Sequence, residues 1–221
     1  MTLDHIGIVF FDQLPLIGRC ILFTPGGLTF PIMAFLLTEG YRHTSDFKKY
    51  ALRLLIFAVI ALVPFIWAIG PALDILFTLL LGLITIYLYD NMNNRVVFWF
   101  VFAGITFASS FCDWSFVGVP MVLCYHAISH PTKRLVVPVA LSWIMMAVLT
   151  LTESMQDPAY MFSLGIPMLL FNYVGCTATI FLLRHYNGER GKGFKYFFYI
   201  YYPAHLLVLG ILYSLLFGQL W

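Results

Sequence analysis

The chain is 221 residues long, 62% hydrophobic and only 10% charged, with a formal net charge of +2. A soluble domain carries about a quarter charged residues, so a water-soluble globular protein is excluded, and nothing points to a nucleic-acid partner. Several runs of about 17–25 apolar residues are each long enough to cross a bilayer. No linker or low-complexity segment divides them, so the expected fold is all-α: one polytopic membrane helical bundle over residues 1–221, bounded by lipid.

Met1–Phe11 is apolar but too short to span as a regular helix, and it carries Asp4 and His5. It shows neither a basic leader nor a small-residue cleavage site. A carboxylate beside an imidazole can fix its tautomer and raise its basicity, which makes His5 a candidate general base or acyl carrier. Adjacent helical residues point about 100° apart, so Asp4 need not touch His5; a capping Asp beside an interfacial His is the alternative. Gln13–Gly18 reads as a turn before Arg19. Thr24-Pro25-Gly26-Gly27 is a breaker, so the second segment is expected at Leu28–Tyr41, with Cys20–Phe23 at most a broken first half.

That segment ends in Glu39, Arg42 and His43, which share one helical face, and a basic elbow of Lys48, Lys49 and Arg53 follows. A cationic cluster at the membrane surface can bind phosphate, Arg doing so bidentately. A topology anchor with a local ion pair is the reading that the residues alone favour.

Further segments are expected at Tyr50–Ile69, Ile75–Tyr89, Val96–Cys112, Ser115–Ser129 and Leu135–Leu151. Asp113-Trp114 pairs an acid with an aromatic, as sugar and amine sites do; an interfacial belt residue is the alternative. His126 and His130 have zinc-compatible spacing but no third ligand, so no metal is expected. The eighth segment begins between Ala159 and Pro167 and ends near Leu183, and the loop Arg184–Lys195 is rich in glycine and basic residues. The ninth, Tyr196–Phe217, contains Pro203 and places His205 about 14 Å inside, near the midplane. Tyr199, Tyr201 and Tyr202 are its neighbours, and a kinked packing helix with a satisfied histidine is the alternative. Cys20, Cys112, Cys124 and Cys176 make no metal motif and are expected as buried thiols, a Cys20–Cys112 disulfide being the weaker option.

Loop charges alternate. Every Lys and Arg except Arg19 falls in loops after even-numbered segments, while Gly70–Asp74, Asp113-Trp114 and Glu153–Asp157 hold only acids. The positive-inside rule then sets about nine transmembrane segments with the N-terminus in and the C-terminus out.

Several stretches resemble the TraX family, membrane acetyltransferases named for N-terminal acetylation of conjugative pilin. They are Asp4-His5-Ile6-Gly7, Ile17-Gly18-Arg19, Phe30-Pro31-Ile32-Met33-Ala34-Phe35-Leu36, Glu39-Gly40-Tyr41-Arg42-His43-Thr44, Lys49-Tyr50-Ala51-Leu52-Arg53, Asn187-Gly188-Glu189-Arg190-Gly191 and Phe198–Leu206. The resemblance implies a bacterial inner-membrane acetyltransferase. It would move acetyl from cytoplasmic acetyl-CoA to an amine or hydroxyl, on a pilin N-terminus or an envelope glycan. It makes His5 catalytic with Asp4 tuning it, and sets Glu39, Arg42, His43, Lys49, Arg190 and Lys195 around the CoA phosphates. Arg19, Asp113, Trp114, Tyr202 and His205 would line the passage and the acceptor side. Two departures stand out: a short stretch precedes Asp4-His5, so a short first helix is expected, and Cys20–Leu28 interrupts the family's near-direct run from Gly-Arg to Phe-Pro. The alternatives are a small transporter or channel, and a non-catalytic scaffold of a pilus or envelope assembly. A homodimer is compatible with either.

Overall fold

A computed structural model describes residues 1–189 and 197–218. Among them the ordered backbone is helical: α1 Thr2–Val9, α2 Leu16–Arg42, α3 Phe47–Ala68, α4 Ile75–Asn91, α5 Arg95–Ala108, α6 Ser115–Ala127, α7 Pro131–Gln156, α8 Pro158–Tyr160, α9 Ile166–Arg184 and α10 Phe197–Phe217. A π-helical turn, Met161–Gly165, joins α8 to α9 without a break, so the eighth apolar segment starts at Pro158. Five helices are long and apolar enough to cross a membrane: Leu16–Arg42, Phe47–Ala68, Pro131–Gln156, Pro158–Arg184 and Phe197–Phe217. The helices at 75–91, 95–111 and 115–127 are apolar but shorter. α1, with eight residues, is only about 12 Å long.

Helix starts follow local chemistry. Asp46, Asp74, Asn94 and Asp157 each cap a helix by accepting from backbone N–H groups of its first turn, which satisfies donors that have no intrahelical partner. His130 does the same for α7, with Pro131 opening the helix.

One expectation changes. Thr24-Pro25-Gly26-Gly27 does not break the chain; α2 runs through it with Pro25 and Pro31 inside. In lipid no water solvates an opened backbone, so a helix that can stay hydrogen-bonded does so. The threonines assist: Thr24 Oγ1 donates to the Cys20 carbonyl (3.0 Å) and Thr29 Oγ1 to that of Pro25 (2.7 Å). The glycines serve packing. A Cβ on Gly26 would run into the Asp4 carboxylate of α1, and one on Gly27 would sit 2.7 Å from the Asn172 carbonyl oxygen of α9. On the facing helix a Cβ on Gly175 would strike the Thr24 carbonyl. Small residues let membrane helices approach this closely.

The core lies where α2, α4 and α6 meet, around Phe30, Phe35, Leu83, Ile86, Met121, Val122 and Tyr125, all nearly inaccessible. α3 and α10 pack together on one side and α7 and α9 on the other, while α1 is wedged between α2 and α10. Outward faces keep large apolar side chains exposed, among them Val63, Phe100, Phe107 and Leu215. A surface of that kind needs lipid over it. The cysteines are free thiols, with Cys20, Cys112 and Cys176 buried.

Candidate functional site

The bundle has a basic end and an acidic end, and a histidine pair lies between them. Gly7 of α1 lets the helix settle onto Leu22 and Phe23 of α2, since a Cβ there would already be at 3.1 Å from both. That contact turns His5 towards α10. His5 and His205 are 4% and 7% exposed. His5 Nδ1 lies 2.6 Å from His205 Nε2.

Proton positions in this pair follow from the partners. His205 Nδ1 is 2.8 Å from the Tyr201 carbonyl oxygen. A carbonyl only accepts, so neutral His205 carries its proton on Nδ1 and its Nε2 is the acceptor. His5 must then donate from Nδ1, which leaves a lone pair on His5 Nε2. Among the described residues no hydrogen bond is made to that nitrogen. His5 is thus held as a base in a buried setting.

Asp4, the expected tuning group, makes no hydrogen bond to His5; its carboxylate packs against Gly26. His205 holds the imidazole instead. Tyr202 presents its ring to both histidines, at centroid distances of 6.0 Å from His5 and 5.6 Å from His205. Alongside, Thr2 Oγ1 and the Tyr201 hydroxyl are 2.5 Å apart.

Towards the acidic end, the loops before α4 and α6 are tied together. Leu73 N–H donates to Phe111 O (2.9 Å) and Asp113 N–H to Leu73 O (2.8 Å). This sets Asp74 and Asp113 near one another. Asp74 is fully buried; its Oδ1 accepts from the N–H groups of Leu76 (2.8 Å) and Phe77 (3.4 Å), but Oδ2 has no partner. Burial pushes the Asp74 carboxyl up to about 7, against the opposing effect of those two N–H groups, with Asp113 adding to the rise. Burial likewise pushes Asp113 up to about 6, opposed by the Trp114 N–H that donates to it at 2.9 Å. Trp114 stacks on Phe30 at 4.5 Å. Trp114 and Ser115 both have positive φ, 61° and 31°. Such backbone costs of order 1–3 kcal/mol per residue and gathers at functional sites.

At the basic end, Glu39 is the hub. Its Oε1 accepts from Arg134 Nη2 (2.6 Å) and Arg42 Nη1 (3.2 Å). Arg134 also donates to the Tyr125 carbonyl (2.6 Å) and to Thr38 Oγ1 (3.2 Å), and Arg42 to the His126 carbonyl (3.3 Å). His126 Nε2 in turn lies 2.9 Å from Asp90. These bonds tie α2, α4, α6 and α7 together at one level. Beside them opens a cavity of about 540 Å³, whose walls include Glu39, Thr132, Arg134, Arg184, Tyr186 and Asn187.

Of the cationic residues expected there, Arg42 braces the cavity's rim through Glu39 without lining it. His43 ends α2 in an exposed position, and Lys49 pairs with Asp46 at 3.1 Å. Arg190 and Lys195 lie outside the described residues. Arg134 and Arg184 line the cavity; the sequence marked Arg134 only as a topology charge, and Arg184 as the start of the basic, glycine-rich loop. Arg19 stays apart: its Nε donates to the Leu14 carbonyl (2.9 Å) and its guanidinium covers the Phe11 ring at 4.0 Å. The structure therefore brings His5, His205 and Tyr202 together, sets Asp113 and Trp114 beyond them, and leaves Arg19, His43 and Lys49 elsewhere. The sequence marks Asp74 only as a loop charge, because an acid that caps a helix start carries no local signal of a site.

Comparison with known proteins adds to this geometry. A family model described as TraX protein matches residues 1–213. The probable fimbrial assembly protein FimC, serogroup H1, of Dichelobacter nodosus is 28% identical over 225 residues, covering 95% of this chain and 89% of that protein. No solved structure matches.

Proposed function

The chain belongs to the TraX family, and on that footing we propose that it is a membrane acyltransferase, moving an acetyl group from acetyl-CoA to an amine or hydroxyl. The supporting observation is His5 Nε2, a lone-pair nitrogen on a buried imidazole whose tautomer is set through His205 by the Tyr201 carbonyl. Acyl transfer needs a base that takes a proton from the acceptor as the acceptor attacks the thioester carbon. His5 fills that role, and His205 is a positioning residue.

The donor's phosphates fit the basic-end cavity, where Arg134 and Arg184 outnumber Glu39. CoA, when bound, supplies the thioester; the chain supplies charge for its head, the base, and exclusion of water around it. On this reading the basic end faces the cytoplasm, as the positive-inside rule directs, and the bacterial inner membrane is the proposed location. The acceptor then meets the site from the acidic end, past Trp114 and Asp113. FimC's name ties a relative to fimbrial assembly, so a pilin N-terminus is the favoured acceptor and an envelope glycan the other.

That same name favours a second reading, a non-catalytic assembly factor. Purified full-length protein with acetyl-CoA labelled in the acetyl group separates the two. The proposal expects release of CoA and label transfer to a pilin-type N-terminal peptide or to water. His5→Ala should lower it about 10²-fold or more, and His205→Gln, which keeps an acceptor for His5 Nδ1, less than His205→Ala. Wild-type protein that neither binds CoA nor transfers label, yet co-purifies with a pilus component, would establish the assembly factor instead.

A further inference from the structure

Arg53 is a positioned cation with no counter-charge. It lies six residues into α3, about 9 Å from the helix start at the basic end. Its guanidinium carbon is 5.2 Å from the centre of the Tyr50 ring and 5.8 Å from that of the Tyr199 ring on α10. Both rings are fixed by further contacts. Phe57 stacks on Tyr199 at 4.6 Å, and the Tyr50 hydroxyl sits over Gly40 of α2, where a Cβ would stand 3.0 Å from it. Two aromatic faces hold a guanidinium electrostatically, but they use none of its five N–H donors.

Those donors lack acceptors. Among the described residues Arg53 makes no hydrogen bond or ion pair, and its Nε is sealed from solvent without a partner. The other half-buried arginines differ: Arg19 donates to the Leu14 carbonyl and Arg134 to Glu39. Asp46, the acid nearest in sequence, is paired with Lys49, and residues 190–196, which lead into α10, contain no Asp or Glu. A buried donor left bare is destabilising, so the position points to an acceptor supplied from outside the chain. Neighbouring Leu52 and Ile56 of α3 and Phe198 of α10 are exposed, so the spot borders lipid.

We propose that Arg53, clamped between Tyr50 and Tyr199, binds a phosphate ester at the α3–α10 edge of the bundle. Arginine takes phosphate through two N–H groups at once, and the clamp fixes the plane of that fork in advance. The apolar border favours a phospholipid as the source. Its phosphate would meet Arg53, and its chains would follow the exposed stripe Ile56, Ile60 and Val63 of α3. The phosphates of CoA are the other source, since α10 carries Tyr199 six residues, or about 9 Å, from His205. The binding itself does not depend on acyl transfer.

The test is binding by the full-length protein in detergent, using native mass spectrometry with phosphatidylglycerol and equilibrium dialysis with radiolabelled CoA. Arg53→Gln should weaken phosphatidylglycerol at least about 10-fold, with smaller losses in Arg53→Lys, which has no fork, and Tyr199→Leu, which loses half the clamp. Lys48→Gln, which removes an exposed charge of the same helix, should change it about 2-fold or less. Diacylglycerol has the chains without the phosphate and should show no dependence on Arg53. A loss of CoA affinity in Arg53→Gln, with phosphatidylglycerol unchanged, keeps the site and makes CoA its ligand. Arg53→Lys and Tyr199→Leu carry the comparison should Arg53→Gln fail to fold. An Arg53→Gln protein that melts like wild type and binds both phosphate esters as tightly overturns the site, as does a loss that Lys48→Gln matches or a wild type that binds neither.

Discussion

The crossing of α2 and α9 can be tested with one methyl group. Gly27→Ala places a Cβ 2.7 Å from the backbone oxygen of Asn172, 0.7 Å short of the 3.4 Å at which ordinary contact begins. The obstacle is a helical carbonyl, so α9 itself must move. The seam is also held by Cys176 Sγ donating to the Gly27 carbonyl (3.1 Å) and Thr179 Oγ1 to that of Leu28 (3.3 Å), and both stretch if the helices part. Overpacking of this size costs about 1–3 kcal/mol. Alanine returns up to about 1 kcal/mol of helix propensity, so a net loss of about 1–2 kcal/mol is expected. For a chain of this length that lowers Tm by roughly 2–8 °C. Gly104→Ala is the control: nothing lies within 4 Å of its Cβ, so only the propensity gain remains. Thermal unfolding of purified protein in detergent, followed with a thiol-reactive dye that reports the buried cysteines, reads both. Should Gly27→Ala melt at or above wild type while Gly104→Ala behaves as stated, the close backbone approach is refuted.

Other consequences concern charge. Glu39→Ala leaves Arg134, only 15% exposed, beside Arg42 with no counter-charge. Breaking such a pair costs about 3–5 kcal/mol, and the Glu39→Ala/Arg134→Ala double variant should be closer to wild type than the single losses add up to; additive losses by the same melt would count against the pairing. Asp74→Asn should stabilise the fold in a pH-dependent way. Its folded carboxyl titrates near 7 against an ordinary 3.8, so the neutral form's stability is fully present below about 4 and lost as pH rises through 7. About three units at 1.36 kcal/mol each make roughly 4 kcal/mol. The variant's advantage over wild type should be absent at pH 4 and present at pH 8, and an equal difference at both would contradict the burial of that charge.

Much of this layout is legible from residue order, because bilayer physics is local. A run of apolar residues in lipid must be helical, so most of the long helices fall close to where composition puts them. Glu39 meets Arg134, and Asp90 meets His126, as ion pairs between helices. Failures have a common cause: they concern contacts between distant segments. Pro25-Gly26-Gly27 reads as a stop when judged against water, yet as a seam once α1 and α9 are there to fill it. His5 and His205 were each singled out for being ionisable in an apolar setting, but their bond joins positions 200 residues apart. Asp4, adjacent in sequence, drew attention that belonged to His205. Arg134 shows the reverse error, since a charge that obeys a topology rule can also line a cavity.

The depth of His5 bears on the choice of donor. Asp4 packs at Gly26 and the cavity reaches α2 at Phe35 and Glu39, nine and thirteen residues away, or about 14–20 Å along the helix. A donor whose charged head stays among Arg134 and Arg184 can present its acyl group to His5 only on an arm of comparable length. The extended arm of CoA meets that demand, whereas a compact acyl phosphate would have to carry its charge into the apolar interior, at a desolvation cost of several kcal/mol or more. Acetyl phosphate should therefore fail as a donor even where acetyl-CoA succeeds, and equal rates with the two would mean that the basic cavity and the histidine pair do not serve one reaction.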